Sequence, residues 1–381
     1  MTSTVAGEAA VADAGARLDA VGEGLWEELS ATPPADHEKD ASGVFALLKR
    51  TRATAMLIPA VLGGSGASAA QAVRFQVALG SLAPSAAIAT TMHHYKIAAL
   101  GRVAASGDER AGAILSGISR DALLIASGGA ESTPGRDLRS LGSQAVRDGG
   151  EYRVTGLKRP CSLSTSMDMM SLMVELRAPD GSPEGYAQAF VDARAQGLTR
   201  SPFWQSPVFL AAESHAVRLT DVRIDAGQVF PLVGDGGRRF ATDCYLWFQL
   251  LITASYLGVA SCLADATPPE RRASSRGRRE AVAQLRELEG VLLRAAGAVD
   301  EAAPARDQLN LAVRARDRVE DEIGAVGAAL VRAAGGGAFA RGDLWTGLAG
   351  AVNAIAFHPP QRGAREGVGL EELDADVRDR D

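Results

Sequence analysis

The sequence predicts an α+β protein in three successive parts: helical over residues 1–122, strand-rich over 123–232 and helical again over 238–381. Three observations predict it. Up to about residue 122, apolar residues recur at helical spacing. They then shorten into alternating runs separated by Gly, Pro, Asp and Ser, the pattern of a β-sandwich or small barrel. From Phe240 to Ala356 helical spacing returns, over a length that suits a four-helix bundle.

Each part has its own markers. Val11 to Leu29 and Ala41 to Arg52 carry apolar residues at helical spacing. The turn-rich loop Leu62-Gly63-Gly64-Ser65-Gly66 follows. It is not a dinucleotide fingerprint, because no strand–helix unit with a later acidic residue frames it. Ser68 is the expected N-cap of the next helix, with Gln71 at the capping-box distance, and that helix ends at Ala83-Pro84. Another runs from Ser85 to about Arg102. Strands are expected at Leu123–Ile125, Glu151–Val154, Met169–Leu176, Ala187–Val191, His215–Leu219 and Val222–Ile224. In the last part, Thr267-Pro268-Pro269, Ala303-Pro304 and Gly335-Gly336-Gly337 break the helical pattern. The charged tail after Gly363 is expected to fray.

Composition narrows the function. The 381 residues are 46% hydrophobic and 23% charged, enough to build a large core. A net charge of −6 argues against nucleic-acid binding, which needs clustered Lys and Arg. Cys161, Cys244 and Cys262 fit no disulfide framework or zinc spacing, which points to a reducing cytoplasm. Five histidines form no metal motif, so no metal site is expected. Residues 1–15 lack the basic start of a signal peptide. Polar residues interrupt the apolar stretch Cys244 to Ala264, which reads as a buried helix rather than a membrane span. Because that helix is apolar nearly all round, it is expected to pair with its copy in a homodimer or homotetramer.

Five strings, in their order and spacing, resemble the acyl-CoA dehydrogenase superfamily over about residues 10–365. Met56-Leu57-Ile58-Pro59-Ala60-Val61-Leu62-Gly63-Gly64-Ser65-Gly66 is similar to the family's IPEEYGGLG loop. Ala130-Glu131-Ser132-Thr133-Pro134-Gly135-Arg136-Asp137 stands where the family has TEPGAGSD. Glu151 to Lys158 resembles EYVVNGxK, and Val217 to Ile224 resembles VxFxDVRVP. Tyr256-Leu257-Gly258-Val259-Ala260, with Ala264 to Thr267, resembles the first helix of the family's bundle. The resemblance implies an N-terminal helical domain (1–122), a central β-barrel (123–232) and a C-terminal four-helix bundle (238–381), with flavin, FAD or FMN, between barrel and bundle.

The departures from the family pattern carry the functional reading. Family dehydrogenases need a carboxylate base within reach of the acyl α-proton. Its usual late position here is Phe357-His358-Pro359-Pro360, and its alternative on the first bundle helix is Phe248. Neither can abstract a proton, and Asp343 is the one displaced candidate. The family's flavin-stacking Trp maps to Pro160 and the neighbouring Thr to Ser162. The motif that reaches a partner's cofactor survives as Gly277 with a matching Gln284. Ala130, Arg272 and Arg276 complete the candidate cofactor set. Arg forks suit pyrophosphate, and the competing reading of both arginines is a solvated charged loop.

What remains is similar to the superfamily's flavin monooxygenases. That branch takes reduced flavin from a separate reductase and oxygenates small organic substrates. Its pattern implies a His in the helical part, here His93 or His94, with Ser162 and His358 as partners at the flavin, and a close resembling Val368-Gly369. Ser and His suit this chemistry because they donate hydrogen bonds, and a His of near-neutral pKa can move a proton. The competing readings are one core and one solvent-facing His at 93–94, a helix-ending His358, a polar strand end at Ser162, and packing roles for Cys161 and Trp204. The alternatives to a monooxygenase are a dehydrogenase of acyl-CoA or carrier-protein-bound substrates and a scaffold that has lost its flavin.

Overall fold

The computed structural model describes residues 13–131, 142–265, 267, 275–341 and 344–363. After a helical run over residues 13–19, three short helices follow: α1 (Leu25–Ser30), α2 (Pro34–His37) and α3 (Ser42–Arg50). The apolar spacing from Val11 to Leu29 does not yield one helix. Gly24 adopts φ +78°, a left-handed conformation open to glycine, and the chain restarts there as α1.

α4 (Ala69–Leu82) begins where the capping box places it. Ser68 Oγ accepts from the Gln71 amide at 3.2 Å, and Gln71 Oε1 accepts from the Ser68 amide at 2.8 Å. The Asp300 carboxylate, far along the chain, accepts the amides of Ala69 at 2.6 Å and Ala70 at 3.1 Å. All four donors that a helix start leaves orphaned are thereby satisfied. α5 (Pro84–Ala105) starts on a proline, whose missing N–H costs nothing there. α6 (Glu109–Asp121) was not evident in the sequence. Its cap is Asp108, which accepts the Ala111 amide at 3.0 Å.

Eight strands follow: β1 (Ile125–Gly128), β2 (Gln144–Asp148), β3 (Glu151–Cys161), β4 (Met169–Arg177), β5 (Pro183–Asp192), β6 (Leu198–Ser201), β7 (His215–Asp225) and β8 (Val229–Pro231). They form one sheet in the order β6-β7-β3-β2-β4-β5-β8, with β1 pairing parallel to β4. The ladder ends at β6 and β8, so the expected barrel is not closed among the described residues. The two runs read as separate strands, His215–Leu219 and Val222–Ile224, are one strand. Asp221 sits at φ +53° between them, and the register slips opposite Val154–Gly156, as at a bulge.

Three long helices close the chain, α7 (Gly234–Asp265), α8 (Arg276–Asp300) and α9 (Ala305–Ala334). The fourth limb is broken into α10 (Gly336–Arg341), α11 (Leu344–Ala351) and a 3₁₀ stretch, Val352–Phe357. α7 is apolar enough to cross a membrane, yet 89% of its most apolar window is buried inside this chain. α4, α5, α8 and α9 all pack on it. Its all-round apolarity is therefore explained within one subunit, and the argument from it to a pairing copy falls away. At the α4–α7 crossing the backbones touch. A Cβ on Gly258 would lie 2.5 Å from the Val77 carbonyl, and one on Gly80 2.9 Å from that of Ser255. Gln76, fully buried on α4, donates to Thr91 on α5 and Ser255 on α7, each at 3.0 Å.

Candidate functional site

Five rings run in a row where the three parts meet. Tyr95 of α5 packs edge-on against Phe248 of α7, with ring centroids 5.4 Å apart. Phe248 lies 6.5 Å from the His358 ring. His358 Nδ1 and the Tyr256 hydroxyl share a 2.7 Å hydrogen bond. Tyr256 in turn meets Phe209, in the loop before β7, at 5.9 Å. Phe248 and Tyr256 share a face of α7 because eight residues span about two helical turns.

Polar groups punctuate this wall. The Tyr95 hydroxyl and Ser127 Oγ, on β1, lie 2.6 Å apart. Ser162 Oγ lies 2.9 Å from Ser214 Oγ. The Leu163 amide donates to the Ala212 carbonyl at 3.0 Å, so the end of β3 is tied to the loop that carries Phe209. Ser162 and His358 are linked through that loop and Tyr256 rather than by a direct hydrogen bond.

His358 is positioned from α9. The fully buried Arg316 donates to the His358 carbonyl at 2.7 Å, the Ile355 carbonyl at 3.3 Å and Gln249 Oε1 at 2.7 Å. Burial, reinforced by the Arg316 charge, lowers the His358 pKa to about 4, although part of the residue stays exposed. The expected near-neutral proton shuttle is thus corrected to an imidazole that is uncharged at ordinary pH. Burial also raises the Tyr256 phenol, which stays protonated.

His93 and His94 are both fully buried, so the expectation of one solvent-facing ring does not hold. His93 Nδ1 accepts the Ile125 amide at 3.1 Å, which fixes the proton on Nε2, and Nε2 donates to the Thr54 carbonyl at 2.6 Å. Both nitrogens serve the backbone, so His93 clamps Thr54 to Ile125. His94 Nε2 lies 3.4 Å from the Ala53 carbonyl, and its ring meets Phe75 and His93 edge-on. Burial lowers the pKa of His93 to about 4, and burial with the neighbouring His93 lowers that of His94.

The cofactor candidates are dispersed. The Ala130 carbonyl accepts the Arg159 amide at 3.0 Å. Arg276 is exposed and paired with Glu280, and Gln284 bonds to Glu322. Neither reaches the ring cluster through any hydrogen bond or ring contact of the described residues. Arg272 and Asp343 lie outside the described residues. Trp204 donates to the Val208 carbonyl at 2.8 Å, a packing role.

The sequence left several residues of the site unmarked. Lys96, beside Tyr95, is buried near the middle of α5. Its ammonium lies 3.1 Å from Gln188 Oε1 and 3.9 Å from Cys244 Sγ. Burial opposes that charge, yet the Cys244 and Tyr95 side chains hold the pKa above the ordinary lysine value. Among the described residues no carboxylate bonds to the polar atoms of the ring cluster, and no group of three His, Cys, Asp or Glu could hold a metal ion. Serine hydroxyls, a neutral imidazole, a buried cation and the unpartnered Gln249 Nε2 stand around flat apolar walls. That donor set fits a planar ring system with hydrogen-bonding edges, such as a flavin.

The chain is 32% identical over 346 residues to the isobutylamine N-hydroxylase of Streptomyces viridifaciens, covering 89% of this chain and 91% of that protein. TdsC from Paenibacillus sp. A11-2, solved with FMN and indole, superposes with a TM-score of 0.79 at 18% identity, over 94% of this chain and 98% of TdsC. A nitrososynthase from Micromonospora carbonacea var. africana superposes with a TM-score of 0.73 at 19% identity, over 96% of each chain. These structural likenesses concern the fold. No protein-family model matches the chain.

Proposed function

The chain belongs to the flavin-dependent monooxygenases of the acyl-CoA dehydrogenase superfamily, and on that premise we propose that its reaction is the N-hydroxylation of a small primary aliphatic amine. The observation that carries the reading is the ring cluster itself: Phe248 fills a dehydrogenase base position, and the facing His358 is uncharged. The amine class is supported by the relative that shares 32% identity.

In the proposed reaction one atom of O2 enters an N–H bond of the amine as hydroxyl, and the other leaves as water. Bound reduced flavin, FMN or FAD, supplies the two electrons. An amine attacks only when unprotonated. The apolar faces of Tyr95, Phe248 and Phe209 disfavour its ammonium form. His358, held by Tyr256 and Arg316, would orient the reacting groups without adding charge. The Tyr95–Ser127 hydroxyl pair would take and pass on the proton lost from nitrogen. Ser162 and Ser214 would donate to the flavin edge. The helical domain (1–122), β domain (123–232) and bundle (238–381) would each contribute one wall.

Reduced flavin would come from a separate reductase, and the three unpaired thiols suit a reducing cytoplasm. A homodimer or homotetramer rests on the family likeness alone.

The test supplies purified protein with a flavin reductase, NADH, FMN and O2, and offers short primary amines. The expected product is the hydroxylamine, one oxygen heavier by mass spectrometry. If no amine gains oxygen while an acyl thioester bleaches bound flavin anaerobically, the chemistry is dehydrogenation and the proposal is wrong.

A further inference from the structure

Lys96 is a buried ammonium with no carboxylate partner among the described residues. Its neighbour Lys158, also buried, is neutralised by Glu131. No Asp or Glu forms an ion pair with Lys96 among the described residues. What holds its charge is weaker. Gln188 Oε1 accepts at 3.1 Å, and the ammonium sits 5.0 Å from the Tyr95 ring centroid and 5.4 Å from that of Phe240. The Gln188 amide cannot turn away, because its Nε2 donates to Ser171 Oγ at 2.8 Å. Ser171 stands opposite Ser127 in the β1–β4 register, and Ser127 bonds to Tyr95. A built network therefore fixes a positive charge directly behind the first ring of the cluster.

Taking an ammonium out of water with no carboxylate beside it is costly. An anion bound at the cluster would offset that cost. The reduced isoalloxazine ring is such an anion near neutral pH, whereas the oxidised ring is neutral. We propose that Lys96 is the charge that makes this site select reduced over oxidised flavin. This deepens the monooxygenase reading and rests on it. An enzyme fed by a separate reductase must capture reduced flavin and let the oxidised form go, and a buried cation does both. A unit charge pair roughly 8 Å apart, at an effective dielectric of about 20, changes an affinity about 30-fold.

The test is anaerobic equilibrium binding of oxidised and of dithionite-reduced FMN to the full chain, as wild type, Lys96→Met and Lys96→Arg. Wild type should prefer reduced FMN. Lys96→Met should weaken reduced FMN about 30-fold while oxidised FMN changes about 3-fold or less, and Lys96→Arg should restore most of the preference. Without flavin, Lys96→Met should unfold within a few degrees of wild type, because methionine refills the buried side-chain volume. Equal weakening of both redox states, an unchanged preference, or a sharp loss of flavin-free stability overturns the proposal. A wild type that binds both forms but ignores Lys96 refutes this inference alone. A wild type that binds neither form refutes the flavin reading beneath it.

Discussion

Lowering the pH from about 7 to about 4 should loosen the clamp that His93 makes between the Thr54 carbonyl and the Ile125 amide. The ring is fully buried, and its pKa falls from 6.5 to about 4, chiefly because burial disfavours the charged form. Between those values the unfolded chain binds a proton that the native ring refuses. The stabilisation is therefore complete above about pH 6.5 and is lost as the pH falls towards 4. At about 1.36 kcal/mol per tenfold change in proton affinity, the gap amounts to roughly 3 kcal/mol. Urea unfolding measured along this pH range isolates the effect when wild type is compared with His93→Gln, which fills similar space and does not titrate there. The two stability curves should converge by roughly 3 kcal/mol as the pH drops, because contributions from His94 and the carboxylates are common to both. Turnover of the variant at neutral pH should stay within about tenfold of wild type, since no nitrogen of His93 is free for substrate. Parallel stability curves would refute the burial argument. An inactive but fully stable variant would return His93 to the catalytic set.

Three other outcomes follow from the geometry. His358→Ala should let oxygen consumption continue while hydrogen peroxide replaces product, with product yield down on the order of a hundred-fold; full coupling would remove His358 from the site. Gly258→Ala places a methyl 2.5 Å from the Val77 carbonyl, a backbone contact that no rotamer relieves. Overpacking of about 3 kcal/mol, less about 1 regained in helix propensity, leaves about 2 kcal/mol of lost stability, and unchanged thermal unfolding would contradict the close crossing. Glu131→Gln strands the Lys158 ammonium, whose pKa burial already lowers, and should cost roughly 3 kcal/mol. Removing both charges with Lys158→Met should recover part of it, and equal stability of single and double variants would show that the pair is not coupled.

Local patterns were legible in the sequence. The Ser68–Gln71 box, the proline start of α5 and the breaks between the bundle helices are set by neighbours within a few residues, so their signals stand side by side in the chain. β3, β4, β5 and β7 announced themselves through alternation or apolar runs. β2, β6 and β8 did not, being three to five residues long and, for β2 and β6, largely polar. The site was legible only in part. Phe248 and His358 stood out through the family resemblance. Tyr95, Ser127 and Arg316 did not, and Tyr256 entered only within a helix-matching string, because their meaning lies in contacts between distant segments: the Tyr256–His358 bond spans 102 residues. Two adjacent histidines suggested chemistry. Each ring meets a backbone carbonyl about 40 residues earlier, and His93 also takes the Ile125 amide; no motif marks such groups.

The cap that Asp300 places on α4 also fixes when the protein can finish folding. A ribosome releases the chain from its N-terminus, and domains ordinarily fold in that order. Here the amides of Ala69 and Ala70 await a carboxylate at residue 300, while Gln76 and Gly80 await Ser255 and Gly258. At about 5–20 residues per second, the nascent helices α4 and α5 stay incomplete for roughly 10 to 40 seconds. Throughout that interval their apolar faces are offered to chaperones and to neighbouring nascent chains. A message truncated before codon 300 would thus yield an aggregating fragment instead of a folded N-terminal domain.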